Sequence, residues 1–322
     1  MPRTGVSRAS LLLGLLLAAP AAHACRVERR AEVPVVLADG FPLVRAMVGG
    51  RAVSFVLDTG AQDLLLTPEA ATRLSLPRDP AQRTLILGTG GAVVAENVVL
   101  PGLSLGGAGS GGAGSGGAGP GGTGSGGTGS GGVGLGPRSV PVSPLPGLPA
   151  ADPPVAGLLG ASLLARYDLD LDLPGGRMAL HEVRDCPGGV RPFPVPYVMA
   201  PLSLTPQGEP FVTVLLDGTP VEALVDTGSR GTVLTEAAAA RVGLDPAGHG
   251  VTHGAEGAGM ALRTAVVREM RLGWEVLQGV TVGVAPLRLV RGDMLLGADY
   301  FAGRRMWLSY SGRRLFVQMP GR

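Results

Sequence analysis

The 322-residue chain contains no lysine, so all 27 of its basic residues are arginine. Charge is sparse: charged residues make up 16% of the chain and the net charge is +2. The arginines are scattered rather than gathered on one face, so nucleic acid is not an expected partner. Cysteine is nearly absent, with only Cys25 and Cys186. Beyond the N-terminal segment no stretch reaches the roughly 18 apolar residues that a membrane helix needs. The 54 glycines follow no Gly-X-Y period, which excludes collagen. A hydrophobic content of 45% excludes a charged disordered polymer. The length allows one or two domains, each able to bury a core.

Residues 1–24 read as a secretory signal. Arg3 and Arg8 form the positive start, Leu11 to Ala19 the apolar centre, and Ala22-His23-Ala24 a small-x-small cleavage site. An exported chain, periplasmic or secreted, is therefore expected, with an uncleaved N-terminal anchor as the alternative. Cleavage after Ala24 makes Cys25 the first mature residue. A lipoprotein signal also puts cysteine there, but usually with leucine three positions earlier, where this chain has Ala22. Two cysteines in an exported chain suggest one disulfide. A Cys25–Cys186 bridge and a lipid on Cys25 exclude each other. The bridge is the favoured reading, and two unpaired thiols are the third. Membrane association is expected only if the signal stays on or Cys25 is lipidated.

The chain repeats itself. Residues 53–67 (VSFVLDTGAQDLLLT) and 221–235 (VEALVDTGSRGTVLT) match at nine of fifteen positions, counting aliphatic exchanges, at an offset of 168. A second pair, GLLGASLLARYDLDL at 157–171 and MLLGADYFAGRRMWL at 294–308, has an offset of 137. The first copy thus carries 31 extra residues between its motifs, and the low-complexity run Gly106–Gly136 numbers 31. The reading is a tandem duplication: lobes over 25–190 and 191–322, with a disordered Gly-rich insert at 106–136. Deleting the insert is expected to leave the fold intact.

Secondary structure reads mostly as short strands. Val53–Leu57 and Val221–Val225 each follow a turn signal, Gly49-Gly50 or Asp217-Gly218, and each ends at Asp-Thr-Gly. Short helices are expected near 68–74 and 236–242. Further strands are expected near 84–87, 92–100, 167–173, 177–183, 264–272, 280–284, 306–310 and 314–318. Evenly spaced short strands with Gly/Pro turns argue for β-barrels rather than βαβ units.

A single Asp-Thr-Gly is an ordinary strand-to-turn sequence. Two copies, each in an apolar strand and each followed by an apolar-apolar-Gly motif, are far more specific. With VLDTGA at 56–61, LVDTGS at 224–229, and LLG at 158–160 and 295–297, each half resembles the retropepsin-like aspartic proteases, the single-lobe relatives of pepsin. The resemblance covers about 33–183 and 198–318, apart from the insert. It implies an all-β fold of two tandem acid-protease β-barrel lobes in a pseudo-twofold arrangement, with short helices.

The resemblance also implies an aspartic endopeptidase with no cofactor. Asp58 and Asp226 would share one proton, because two carboxylates in contact do not both ionise readily. Thr59 and Thr227 match the pair that locks the two loops. Gly60 and Gly228 match the nearby backbone donors. Ser229 matches a hydroxyl that bonds the outer carboxylate oxygen, and Ala61 takes that place in the first copy. Gly160 and Gly297 belong to the segment that crosses beneath each loop. Gly88–Gly91, with Gly90 and Gly91 at its tip, and Gly254–Gly259, with Gly257 and Gly259, read as two flaps or as plain hairpin turns.

Other constellations carry less. His249 and His253 sit among glycines, so no helix is expected to align them for a metal, and no metal site is expected. Asp168, Asp170 and Asp172 alternate with leucines and read as the polar face of a half-exposed strand. The expected partner is a peptide or protein substrate, and the expected species a monomer. Two alternatives stand beside this: a non-catalytic peptide-binding or structural module on the same fold, and lobes that pair between chains.

Overall fold

The computed structural model describes residues 25–106, 132–186, 189–194, 196–254 and 259–319. Residues 1–24, where the sequence suggests a signal, and the interior of the Gly-rich tract, 107–131, lie outside them. In the first lobe, β1 (Arg26–Ala38), β2 (Phe41–Val48) and β3 (Arg51–Leu57) run as a meander. Then follow β4 (Leu65–Leu66), α1 (Pro68–Arg73), the hairpin of β5 (Arg78–Gly88) and β6 (Gly91–Leu100), β7 (Leu103–Leu105), β8 (Val133–Leu135), β9 (Arg138–Val142), β10 (Val155–Leu159), α2 (Ala161–Leu164), β11 (Asp168–Asp172) and β12 (Arg177–Arg184). The second lobe has β13 (Tyr197–Pro201), β14 (Ser203–Leu204), β15 (Pro210–Leu216), β16 (Thr219–Val225), β17 (Val233–Thr235), α3 (Glu236–Val242), β18 (Ala247–His253), β19 (Gly259–Leu272), β20 (Glu275–Ala285), β21 (Met294–Leu296), α4 (Ala298–Phe301), β22 (Arg305–Ser309) and β23 (Arg314–Gln318). The fold is all-β with short helices, as the strand pattern predicts.

Local chemistry explains the repeated pieces. Asp217 and Gly218 both take positive φ, 47° and 82°, between β15 and β16. That primed turn matches the right-handed twist of a two-strand ribbon, which is why Asp-Gly closes it. Thr67 and Thr235, one repeat apart, accept from the N–H of Ala70 and Ala238 and cap α1 and α3. In the second lobe the order β15-β16-β21-β17-β20-β19 closes on itself through β15–β19 pairing, so the sheet forms a barrel.

One sheet belongs to both lobes, in the order β13-β23-β22-β11-β12-β1. At its centre β11 and β22 pair antiparallel, with Asp170 opposite Trp307, its own repeat equivalent at offset 137. A pseudo-twofold axis therefore passes through that pair. Leu169, Leu171, Met306 and Leu308 from this seam belong to one buried core that is continuous across both lobes.

The aspartates of β11 are a correction to the sequence reading. Asp168 and Asp170 are buried, not a solvent-facing edge. Asp168 accepts from Trp307 Nε1 at 3.1 Å, from Ser309 Oγ at 2.6 Å and from the Ser311 N–H at 2.9 Å. The Arg305 fork meets Asp170 at 2.7 and 2.6 Å. Alternation identified a polar face, but the second lobe covers that face and supplies its donors.

The insert also needs redrawing. Val133–Leu135 form β8, which pairs with β7 through Leu105 and Val133. The equivalent hairpin in the second lobe turns between Leu272 and Glu275. The repeat offset falls from 167 at Leu105/Leu272 to 142 at Val133/Glu275, so 25 of the 31 extra residues sit in this one turn. Most of the remainder lies between β9 and β10. Val133 and Leu135 are buried strand residues, and deletion of 106–136 would remove them. The cut that restores a short turn joins Gly106 to Gly132, whose Cα lies 3.8 Å from an ideal Cβ on Gly106. Glycine-rich composition hid the strand's boundary.

Cys25 and Cys186 form a disulfide at the outer end of the β1–β12 ladder. A sulfur so bonded cannot also carry a thioether lipid. Among the described residues no helix is long and apolar enough to cross a membrane.

Candidate active site

Strands β3 and β16 end at Asp58 and Asp226, and each aspartate opens a tight loop. Beneath the loops β10 and β21 run parallel to β3 and β16. The N–H groups of Asp58 and Asp226 donate to the carbonyls of Leu159 and Leu296, at 3.1 and 3.0 Å. Gly160 and Gly297 lie directly under the loops. An ideal Cβ on Gly160 would meet the Asp63 carbonyl at 2.4 Å, and one on Gly297 would meet the Gly231 carbonyl at 2.3 Å. The second motif therefore requires glycine for close approach, not for turning.

The loops are tied together by a reciprocal network. Thr59 Oγ donates to the Val225 carbonyl and Thr227 Oγ to the Leu57 carbonyl, both at 2.6 Å. Each hydroxyl also accepts the other threonine's N–H at 3.1 Å. Both threonines are fully buried. Thr59 and Thr227 are repeat equivalents, so the pseudo-twofold axis passes between them as well.

Above this pair each carboxyl group lies against the other loop: Asp58 Cγ is 2.2 Å from an ideal Cβ on Gly228, and Asp226 Cγ is 2.6 Å from one on Gly60. Asp58 Oδ1 accepts from Gly60 and Ala61 N–H at 2.9 and 2.8 Å. Asp226 Oδ1 accepts from Gly228 and Ser229 N–H at 2.9 and 3.1 Å. Burial raises the affinity of both carboxyls for a proton, and the adjoining Asp58 raises Asp226 well above the usual carboxylate range. The pair therefore retains a proton where exposed aspartates are ionised.

Ser229 departs from the sequence expectation. Its hydroxyl donates to the Gly231 carbonyl at 2.8 Å, and only its N–H serves Asp226. Ala61 supplies an equal N–H to Asp58, so this exchange does not make the two carboxyls unequal. A difference that the sequence reading missed lies one layer below. Asp299 accepts from both the N–H and the hydroxyl of Thr232, at 2.9 and 2.8 Å. The first lobe has Ser162 and Leu64 at those places, and Ser162 Oγ is buried with no hydrogen-bond partner.

The β5–β6 hairpin places Gly90 and Gly91 at its tip. Ile86 on this hairpin packs with Val56, Ala61 and Leu158, beside the first loop. The Thr89 carbonyl accepts the Arg288 N–H at 2.7 Å, so the tip reaches the opposite lobe. Gly259 begins β19, while Gly257 lies outside the described residues. His249 and His253 lie on β18, not on a helix. Among the described residues no group of three or more His, Cys, Asp or Glu side chains could hold a metal.

The model of the aspartyl protease family matches residues 44–111 and 212–300, one region in each lobe. Both lobes are thus similar to the aspartyl protease family, and the match supports a protease-type function. Among solved structures, the aspartic proteinase from Irpex lacteus has a TM-score of 0.50 at 10% identity, over 92% of this chain and 98% of that one. Basic 7S globulin from soybean gives 0.47 at 13%, over 89% and 94%. A retropepsin-like aspartic protease from Rickettsia conorii gives 0.28 at 18%, over 38% and 89%. No curated protein matches.

Proposed function

We propose that the protein is an exported aspartic endopeptidase, processed after Ala24, whose lobes 25–190 and 191–322 supply one carboxyl each within a single chain. The observation that supports this best is the reciprocal threonine network, which sets the Asp58 and Asp226 carboxyls each against the other loop's glycine. The ionised member takes a proton from a water as its oxygen attacks the scissile carbonyl carbon. The protonated member hydrogen-bonds the carbonyl oxygen as negative charge develops there. Collapse of the tetrahedral diol breaks the C–N bond, and a proton from the pair goes to the leaving amine. The protons belong to the pair rather than to either aspartate. The β5–β6 hairpin serves as the lid that excludes water, held by its Thr89–Arg288 bond. No cofactor takes part.

The test is active-site titration of the mature chain with a statine-containing peptide, run beside turnover of a peptide library. One inhibitor per monomeric chain, with turnover abolished at that ratio, is the expected result. Tight binding without turnover would make the protein a peptide-binding module. One inhibitor per two chains would place the site between chains.

Gly228 gives a geometric check. An ideal Cβ there would stand 2.2 Å from Asp58 Cγ, so Gly228→Ala must push the carboxylate aside. Displacements of this order cost about 10²-fold in rate, and kcat/KM should fall by that much. Gly303→Ala, where the added methyl meets open space, should leave turnover unchanged.

A further inference from the structure

Each loop is continued by one side chain that reaches the opposite lobe: Gln62 after the first, Arg230 after the second. The pseudo-twofold axis between Thr59 and Thr227 puts these two on opposite sides of the carboxyl pair, and so at opposite ends of the groove that a peptide lying across that pair would occupy. Arg230 lies over the Phe41 ring, 4.6 Å from its centroid, and donates to the Gly147 carbonyl. The equivalent of Phe41 at offset 168 is Glu209. Gln62 Nε2 donates to Glu209 Oε2 at 3.4 Å, and the Thr205 hydroxyl donates to the same oxygen at 2.8 Å. One end of the groove thus presents an exposed guanidinium on an aromatic ring, and the other a half-buried carboxylate. Gln62 stands four residues after Asp58, so its bond to Glu209 sets that carboxylate beside the first loop.

Resting on the endopeptidase reading, we infer that Arg230 and Glu209 determine specificity by selecting dipolar peptides, with an acidic residue at the Arg230 end and a basic residue at the Glu209 end. A peptide extended in the groove advances about 3.3 Å per residue, so charges two to four residues either side of the cleaved bond fall within reach. Arg230 has five N–H donors in a fork, and the bond to Gly147 leaves donors to grip a substrate carboxylate. Reversing the peptide's charge order puts like charges together at both ends.

The experiment uses two fluorogenic peptide series on the mature protein. One is acidic before the cleaved bond and basic after it, the other has the reverse order, and a neutral series is the reference. One order should exceed the other by about tenfold in kcat/KM, mostly through KM, given the modest worth of each exposed pair. The preference should shrink as salt is raised. In the double variant Arg230→Glu/Glu209→Arg the favoured order should invert, each order being read as a ratio to the neutral series on the same variant. Equal rates for both orders, or a preference that the double variant leaves in place, would overturn the inference. Failure of all three series to react would instead sink the endopeptidase reading. In that event inhibition constants of statine peptides in the two charge orders decide the inference alone, equal constants overturning it.

Discussion

Asp226→Asn is expected to lower kcat on any cleavable peptide by at least about 10³-fold, the upper range of what a positioned acid–base group supplies. The amide neither takes a proton from water nor shares one with Asp58. The same substitution is expected to stabilise the fold at neutral pH. Burial and the adjoining Asp58 raise Asp226 well above 3.8, its ordinary value. Between 3.8 and that raised value the folded state holds a proton that the unfolded chain has released. Stability therefore falls as pH rises through this window, and the penalty is complete above it. Asn carries no such penalty. Thermal melts of the variant should lie above those of the parent at pH 7 and converge with them below about pH 4, where the acid is protonated in both states. Retained hydrolysis would remove Asp226 from the chemistry. A destabilised variant at pH 7 would mean that its hydrogen bonds outweigh the cost of burying the acid.

Thr227→Val is expected to be among the most damaging single changes to stability. Valine matches the shape of threonine but makes neither bond. The Thr59 N–H and the Leu57 carbonyl, both held by the Thr227 hydroxyl, would lose that partner in a fully buried place. An unsatisfied buried group costs about 1–3 kcal/mol, so the two together should cost about 2–6 kcal/mol. Denaturant titration should show the midpoint falling, with Thr227→Ser restoring most of it. Because the lost bonds join the two lobes, turnover should drop further than folding alone explains. An unchanged midpoint would mean that water or a shifted backbone satisfies both groups.

Much of this was readable from residue order, for physical reasons that differ by element. The Asp-Thr-Gly copies stand out because one strand-and-turn geometry, used twice, demands the same residues twice. Gly160 and Gly297 stand out because backbone approaches within 2.4 Å of an ideal Cβ at each. The helices over 68–73 and 236–242 follow from threonine caps that are strictly local. Legibility ended where a partner came from far along the chain. Alternation marked one face of β11 as polar, but nothing near Asp168 announced Trp307 or Ser309. Asp299 and Thr232 are 67 positions apart, and neither is conspicuous alone. Residue order shows that Ser229 has a hydroxyl, and only the folded loop shows that it donates to the Gly231 carbonyl.

Covalent union of the lobes has a consequence for how the groove can change. In a homodimer with the site on its axis, every substitution appears on both walls, so a charge added at one end is added at the other. Within one chain each wall varies alone. Phe41 with Arg230 and Glu209 with Gln62 are such unlinked choices, as are Ser162 and Asp299. On the endopeptidase proposal the carboxyl pair and its threonines keep the symmetry because the reaction would sit on the axis. A short distance from it, the two halves would answer to different ends of the substrate.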